Sequence, residues 1–158
     1  MCKAKEESRI EYIKLLIVYG TKSGASKECA YFLSTELSGA TLLDIEQQQP
    51  NIAEFSHVII GAGVRNDKMY KPIRDFLKKN QIELLSKTVA CYLCNSKPKT
   101  TEQVIVDSIP KAVREASIEI TSFGGYKPSW VPISEENKLK GIDLEKISEF
   151  AKNFIEYI

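Results

Sequence analysis

The sequence predicts an α/β domain in which a parallel sheet carries helices on both of its faces. Short apolar runs with strand character alternate with segments whose apolar residues recur at helical spacing. The first run, residues 15–19, is continuously apolar, which is typical of a strand buried on both faces. Regular alternation of this kind favours a doubly wound sheet.

Five strands are predicted, at residues 15–19, 41–45, 58–60, 88–93 and 117–123. Gly61 is expected to end the third strand, and the alternation of Ile118 and Ile120 with other residues indicates the fifth.

Four helices are predicted, with a short irregular one between the second and third strands. The first begins at residue 25, and the second begins near Pro72, because proline suits the first helical position. A capping box starting at Thr100 opens the third helix, and Pro110 is expected to kink it or end it early. Asp143 is expected to cap the last helix.

The composition indicates one soluble domain. The chain has 158 residues, of which 43% are hydrophobic and 27% charged, with a net charge of +1. This balance argues against a disordered chain and against a nucleic-acid binder, which would carry a basic face. The prediction is a polar segment at residues 1–12 and a domain at residues 13–158.

The same composition predicts a cytoplasmic location. The polar N-terminus resembles no signal peptide, and no apolar run approaches the ~20 residues that span a bilayer. The four cysteines are expected to be reduced thiols rather than a disulfide scaffold.

The segment after the first strand carries most of the functional information. It opens the first helix and consists of Thr21, Lys22, Ser23, Gly24, Ala25 and Ser26. The free N–H groups and the dipole of a helix start attract anions. Three hydroxyl groups can donate to phosphate oxygens, and Gly24 lets the backbone come close. The pattern predicts a site for a phosphate monoester that needs no metal.

Other phosphate-binding motifs fit poorly. Gly20 and Gly24 do not have Walker spacing, and the glycines at 61 and 63 lack the third glycine of a dinucleotide fingerprint. A phosphoacceptor receiver domain would need an aspartate at the end of the third strand, where Gly61 stands. The residues after that strand are therefore interpreted as a ligand loop.

The phosphate loop resembles that of flavodoxins, whose pattern is Thr/Ser-x-Thr/Ser-Gly-x-Thr/Ser. The matching residues are Thr21, Ser23, Gly24 and Ser26, and the order of elements agrees over about residues 14–158. The resemblance implies a flavodoxin-like doubly wound five-stranded parallel sheet, of order 2-1-3-4-5, with helices on both faces. It also implies that FMN is the cofactor and that these residues bind its phosphate.

A narrower resemblance concerns residues 19–24 and 58–65. Both segments are similar to menaquinone-dependent protoporphyrinogen oxidases, which share the fold and use FMN. Those oxidases carry a long apolar and basic insertion after the fifth strand, where this chain has the mostly polar residues 124–141. The resemblance therefore extends to the flavin site and not to the protoporphyrin substrate.

Ligands of doubly wound sheets lie at the carboxyl ends of the strands, here between the first and third. The predicted ring-flanking residues are Ala62, Gly63, Val64, Arg65, Cys94, Asn95 and Ser96. The candidates to cover the ring are Tyr70, Tyr126 and Trp130. Because the chain is nearly neutral and Arg65 can face the ring, its flavin potential is predicted to exceed that of acidic flavodoxins.

Three functions remain open. The first is electron transfer through FMN to a redox partner protein. The second is an FMN-dependent oxidoreductase with a small organic substrate, such as a quinone or a porphyrinogen, and the third is a flavin-free anion-binding domain. In the first two the flavin carries the chemistry, so no catalytic side chain is expected.

The remaining reactive side chains are interpreted as structural. Cys91 and Cys94 form a C-x-x-C motif, but residues three apart on a strand face opposite sides, so a redox dithiol is not expected. Cys29 belongs to the apolar stripe of the first helix, and His57 precedes a buried strand. The oligomeric state is left open.

Overall fold

The computed structural model describes residues 14–22, 24–125 and 141–158. The strands are β1 (Leu15–Gly20), β2 (Thr41–Asp44), β3 (His57–Arg65), β4 (Lys68–Met69), β5 (Thr88–Cys94) and β6 (Ile120–Ser122). The helices are α1 (Ala25–Glu36), α2 (Lys71–Leu84), α3 (Thr101–Ser108), α4 (Lys111–Ala116) and α5 (Leu144–Ile155), with short 3₁₀ turns at Ile52–Glu54 and Pro98–Thr100. Within these ranges, every helix is too short or too polar to cross a bilayer.

The five parallel strands lie in the order β2-β1-β3-β5-β6. This is the predicted order 2-1-3-4-5, because β4 is an extra strand that pairs antiparallel with the end of β3. The predicted fold class is therefore confirmed.

The sheet separates two apolar layers, because successive side chains on a strand point to opposite faces. All six residues of β1 are buried. Ile17 and Tyr19 pack in one layer with residues of α1 and α5. Leu16 and Val18 pack in the other layer with residues of α2, α3 and α4.

The prediction that Gly61 ends the third strand is wrong, since β3 continues to Arg65. Gly61 lies within the sheet, in register with Tyr19 on one side and Tyr92 on the other. A Cβ atom on Gly61 would lie 1.9 Å from Tyr92 Cζ. The glycine at this position leaves room for a tyrosine ring from the neighbouring strand and does not mark a chain reversal.

The chain reverses five residues later, at Asn66 and Asp67. Both have positive φ angles, 53° and 59°, and they connect the antiparallel pair Arg65 and Lys68. Two central residues with positive φ are typical of a type I′ hairpin turn. The segment predicted as a ligand loop is therefore largely a β-hairpin.

The predicted capping box at Thr100 does not form. The Thr100 hydroxyl donates to the Lys97 carbonyl at 2.8 Å and accepts from Asn95 Nδ2 at 3.0 Å, and no side chain caps the helix there. A 3₁₀ turn precedes α3 instead. The Thr100 hydroxyl therefore makes its hydrogen bonds within the preceding turn, to Asn95 and Lys97.

Other boundary predictions are confirmed. The predicted third helix breaks at Pro110, which lies between α3 and α4. Asp143 caps α5, since its Oδ1 accepts from the Lys146 N–H at 3.2 Å. The irregular helix before β3 is the 3₁₀ turn Ile52–Glu54. The last strand is shorter than predicted, Ile120–Ser122.

Candidate functional site

The connection from β1 to α1 directs a helix start toward the carboxyl edge of the sheet. Gly24 is the N-cap of α1 with a φ of 91°, a conformation that favours glycine. Its N–H donates to Thr21 Oγ1 at 3.2 Å. The next N–H groups of α1 have no partner within the helix, because helix geometry leaves the first turn unpaired. The helix start lies where the sequence predicts an anion site, and Ser23 of that predicted site lies outside the described residues.

Ser26 provides a test of whether a phosphate fits this helix start. Its side-chain oxygen is buried and has no hydrogen-bond partner among the described residues. A buried hydroxyl without a partner costs about 1–3 kcal/mol. A phosphate oxygen held at the start of α1 is an acceptor of the kind that this hydroxyl lacks, so the residues present fit a phosphate group.

The β3–β4 hairpin forms the second wall of the site. Gly63 faces the phosphate loop, since a Cβ atom on it would lie 3.1 Å from Thr21 Oγ1. Between the two segments is a cavity of about 260 Å³, lined by Thr21, Lys22, Gly63, Val64, Arg65 and Tyr70. The carboxyl ends of β1 and β3 are where a doubly wound sheet of this order binds its ligand. The structure thus brings together two candidate segments that are separate in the sequence.

The hairpin is held in place by residues that the sequence analysis missed. The Met69 N–H donates to the buried Ser108 hydroxyl at 3.0 Å, and Arg74 Nε donates to the Met69 carbonyl at 2.8 Å. The Tyr70 N–H donates to the Gly63 carbonyl at 2.9 Å. The Asn66-Asp67 pair after an apolar run is the sequence signal for this hairpin, but no local pattern indicates the role of Ser108.

Tyr70 is the candidate covering residue that the structure places at the cavity. It is half-buried, and its hydroxyl donates to the Glu46 carboxylate. Its ring packs beside Gly20, where an added Cβ atom would lie 3.0 Å from Tyr70 Cδ2. The other two candidates, Tyr126 and Trp130, lie outside the described residues.

The residues predicted at the end of β5 are not among those that line the cavity. Asn95 is buried and shapes its own turn: Nδ2 donates to the Lys97 carbonyl, and Oδ1 accepts from the Lys97 N–H, each at 3.0 Å. Ser96 is exposed, and an added Cβ on Gly125 would lie 2.9 Å from its nitrogen. The side chains of Ala25 and Ala62 belong to the two apolar layers.

The two cysteines of the C-x-x-C motif face opposite apolar layers, as predicted. Burial raises the pKa of Cys91 to about 12. The hydrogen bond with Cys29, together with burial, raises the pKa of Cys94 well above its usual range. Both thiols are therefore held in their neutral form, which is the unreactive one.

His57 has a structural environment at the opposite edge of the sheet from the cavity. Nδ1 lies 2.7 Å from Ser56 Oγ, and Nε2 lies 2.9 Å from the Tyr157 carbonyl. The histidine thus ties the start of β3 to the residues that follow α5, as expected for a structural residue.

The geometry defines a class of protein: a doubly wound α/β domain in which a helix start lies beside a cavity at the switch point of the sheet. The family model for the flavodoxin domain matches residues 16–131, and the chain belongs to this family. Membership supports FMN as the cofactor, in agreement with the prediction from the sequence.

Individual relatives agree with this assignment. Protoporphyrinogen IX dehydrogenase [quinone] of Escherichia coli (strain K12) is 28% identical over 88 residues, which are 52% of this chain and 49% of that protein. The chain thus spans about half the length of the curated relatives it matches.

Solved structures show the same fold. A short-chain flavodoxin associated with a non-canonical PDU bacterial microcompartment has a TM-score of 0.64 at 20% identity, and the match covers 92% of this chain and 98% of that one. A Fusobacterium nucleatum flavodoxin, solved with flavin mononucleotide bound, has a TM-score of 0.56 at 11% identity and the same two coverages.

Proposed function

We propose that this chain binds FMN at the carboxyl ends of β1 and β3 and transfers electrons through it. The observation that carries the proposal is the cavity in which Gly63 of the hairpin faces Thr21 of the phosphate loop. The Ser26 hydroxyl at the adjacent helix start, which has no hydrogen-bond partner in the described part of the chain, supports it. The flavin-binding unit is residues 13–158, with residues 1–12 as a polar segment before it.

The residues of the chain have separate roles in this proposal. The phosphate is bound by Thr21, Lys22, Ser23, Gly24, Ala25 and Ser26 through hydroxyl and backbone N–H groups. The ring is flanked by Ala62, Gly63, Val64 and Arg65, with Tyr70 as a wall, and by the turn at Cys94, Asn95 and Ser96. When bound, FMN supplies one- and two-electron redox chemistry, and the protein supplies binding, orientation and charge.

The cavity has positively charged side chains at its rim, unlike the flavin site expected in an acidic flavodoxin. Lys22 and Arg65 both line it, and both side chains are exposed. A reduced flavin carries more negative charge than an oxidised one, so these cations favour reduction, with an effect weakened by solvent and salt. We therefore expect FMN bound to this chain to have a higher redox potential than FMN bound to an acidic flavodoxin.

A second candidate function is an FMN-dependent oxidoreductase that acts on a quinone or a porphyrinogen. The similarity to protoporphyrinogen IX dehydrogenase [quinone] favours it, over about half of each chain. Either function suits the cytoplasm, because Cys29, Cys91 and Cys94 are free thiols, and reduced cysteines are typical of that compartment.

The first experiment is the visible absorption spectrum of the purified protein, repeated after adding FMN and passing the mixture through gel filtration. Retained flavin with bands near ~375 and ~450 nm is the expected result. A colourless protein that does not retain added FMN would overturn the proposal and leave the flavin-free alternative.

The two redox functions are separated by the reaction that the FMN-loaded protein supports. Reduction of the bound flavin by a flavoprotein reductase, without turnover of quinone or porphyrinogen, is expected for the carrier. Steady-state oxidation of protoporphyrinogen with a quinone acceptor would favour the oxidoreductase instead.

A further inference from the structure

We propose that Tyr92 is a positioning residue for the phosphate half of the site, an inference that rests on the proposed FMN function. Tyr92 belongs to β5 and does not line the cavity. Its hydroxyl nevertheless donates to the Ser26 carbonyl at 2.8 Å, in the first turn of α1. The bond joins positions 66 residues apart in the sequence.

The ring of Tyr92 reaches over β3 because Gly61 leaves space for it. Gly61 and Tyr92 are register partners on neighbouring strands. A Cβ atom at Gly61 would lie 1.9 Å from Tyr92 Cζ and 2.3 Å from its hydroxyl oxygen. Any larger residue at position 61 would therefore displace the ring from the line between β5 and the start of α1.

Two phenylalanines hold the ring in this position. Phe123 stacks on Tyr92 with ring centroids 5.0 Å apart, and Phe150 meets it edge-on at 6.4 Å. Phe123 and Phe150 also pack against each other at 5.3 Å. The hydroxyl is thus placed by a rigid aromatic cluster, and burial raises the pKa of Tyr92 well above its usual range, so the group remains a donor.

The bond acts on the backbone that meets the phosphate. The Ser26 carbonyl and the Lys27 N–H belong to one planar peptide unit, so fixing the carbonyl also fixes the direction of the N–H. Lys27 N–H is among the first N–H groups of α1, which have no partner inside the helix. Tyr92 therefore holds the Lys27 N–H in place from the side of the sheet, while making no contact with the anion itself.

The test compares FMN with riboflavin, which has the same ring but no phosphate. Tyr92→Phe keeps the aromatic cluster and removes the donor. Flavin fluorescence titrations are expected to show FMN affinity reduced about 3- to 10-fold, the range for loss of one ordinary hydrogen bond, with riboflavin affinity unchanged. The ratio of the two dissociation constants is the readout, because a purely structural defect would weaken both ligands alike.

Tyr157→Phe is the matched control, since it removes the same atom at the opposite edge of the sheet and is expected to leave the ratio unchanged. A second variant, Gly61→Ala combined with Tyr92→Leu, relieves the clash without restoring the donor. It is expected to show the same reduced preference for FMN over riboflavin as Tyr92→Phe, whatever its stability.

Three results would overturn the inference. Equal losses for FMN and riboflavin in Tyr92→Phe would assign the tyrosine to general stability. Unchanged affinities for both flavins in Tyr92→Phe, with a wild-type protein that binds FMN, would overturn the positioning role alone. Failure of the wild-type protein to bind either flavin would overturn the proposed function, and this inference with it.

Discussion

The sulfur atoms of Cys29 and Cys94 lie 3.6 Å apart in the buried layer between α1 and the sheet. Cys29 belongs to α1, which begins at the phosphate loop, and Cys94 is the last residue of β5. The contact thus links two segments of the predicted site from inside the core. Both thiols are buried, and the raised pKa of Cys94, caused by its hydrogen bond with Cys29 and by burial, keeps that thiol out of the reactive thiolate form.

The first prediction is that these thiols are protected in the native protein. In a Cys2→Ser background, Ellman's reagent at pH 8 is expected to react only slowly with the folded protein. After denaturation it is expected to react with all three remaining cysteines. Protection should be lost in proportion to unfolding as denaturant is added. Rapid modification of two thiols in the folded state would contradict the burial of this pair.

The second prediction concerns stability at alkaline pH. In the unfolded chain a thiol ionises near pH ~8.5, whereas burial keeps Cys91 protonated up to about pH 12 in the folded chain. Between these values the folded state binds more protons, so the free energy of unfolding falls as pH rises, by at most about 1.4 kcal/mol per pH unit for this thiol. Cys94 and Tyr92, whose pKa values are also raised, contribute in the same direction.

Urea denaturation at pH 7, 8, 9 and 10 measures this slope. Cys91→Ala is expected to reduce it, independently of the stability lost at neutral pH. A free energy of unfolding that stays flat over this range would contradict the raised pKa values.

The third prediction is that Gly61→Ala is severely destabilising, by about 3 kcal/mol, the upper part of the range for overpacking. The reason is the 1.9 Å approach to Tyr92 Cζ. Gly39→Ala is the comparison, because its added Cβ meets no atom within 4 Å and its cost comes from a φ of 83°. Chemical denaturation of both variants should rank Gly61→Ala as clearly the more damaging.

The fourth prediction separates folding from binding at Ser26. Ser26→Ala removes a buried hydroxyl that has no partner among the described residues, so the protein without flavin is expected to be as stable as wild type or more so. FMN affinity is expected to fall, because a phosphate donor is lost. Thermal unfolding without ligand and FMN titration give the two readouts, and a less stable protein with unchanged FMN affinity would contradict the role of this hydroxyl.

The fifth prediction is that Arg65→Ala lowers the flavin potential, by on the order of tens of mV, since ~1.4 kcal/mol corresponds to ~60 mV for one electron. Arg65 is exposed, so the effect should shrink as salt is added. Potentiometric titration at low and high ionic strength measures it, with Lys78→Ala on α2 as a control. Equal flavin potentials in wild type and Arg65→Ala would contradict an electrostatic effect of Arg65 on the flavin.

Local patterns were sufficient where the signal and its effect lie within a few residues of each other. The apolar runs predicted the five parallel strands, and Asp143 predicted the start of α5 because an N-cap acts on N–H groups two or three residues away. The phosphate loop was recognisable for the same reason, since Gly24 and the helix start it opens are adjacent.

The sequence by itself therefore determined the fold class, the flavodoxin-like order of elements and the helix start that follows β1. The tertiary structure alone decided that Gly61 lies under a tyrosine ring, that Thr100 bonds to Asn95 rather than capping its helix, and that Tyr92 holds Ser26. Where a contact joins different strands, its partners depend on the register and layering of the sheet. Register is set by the packing of the whole apolar core, so no short window of sequence contains that information.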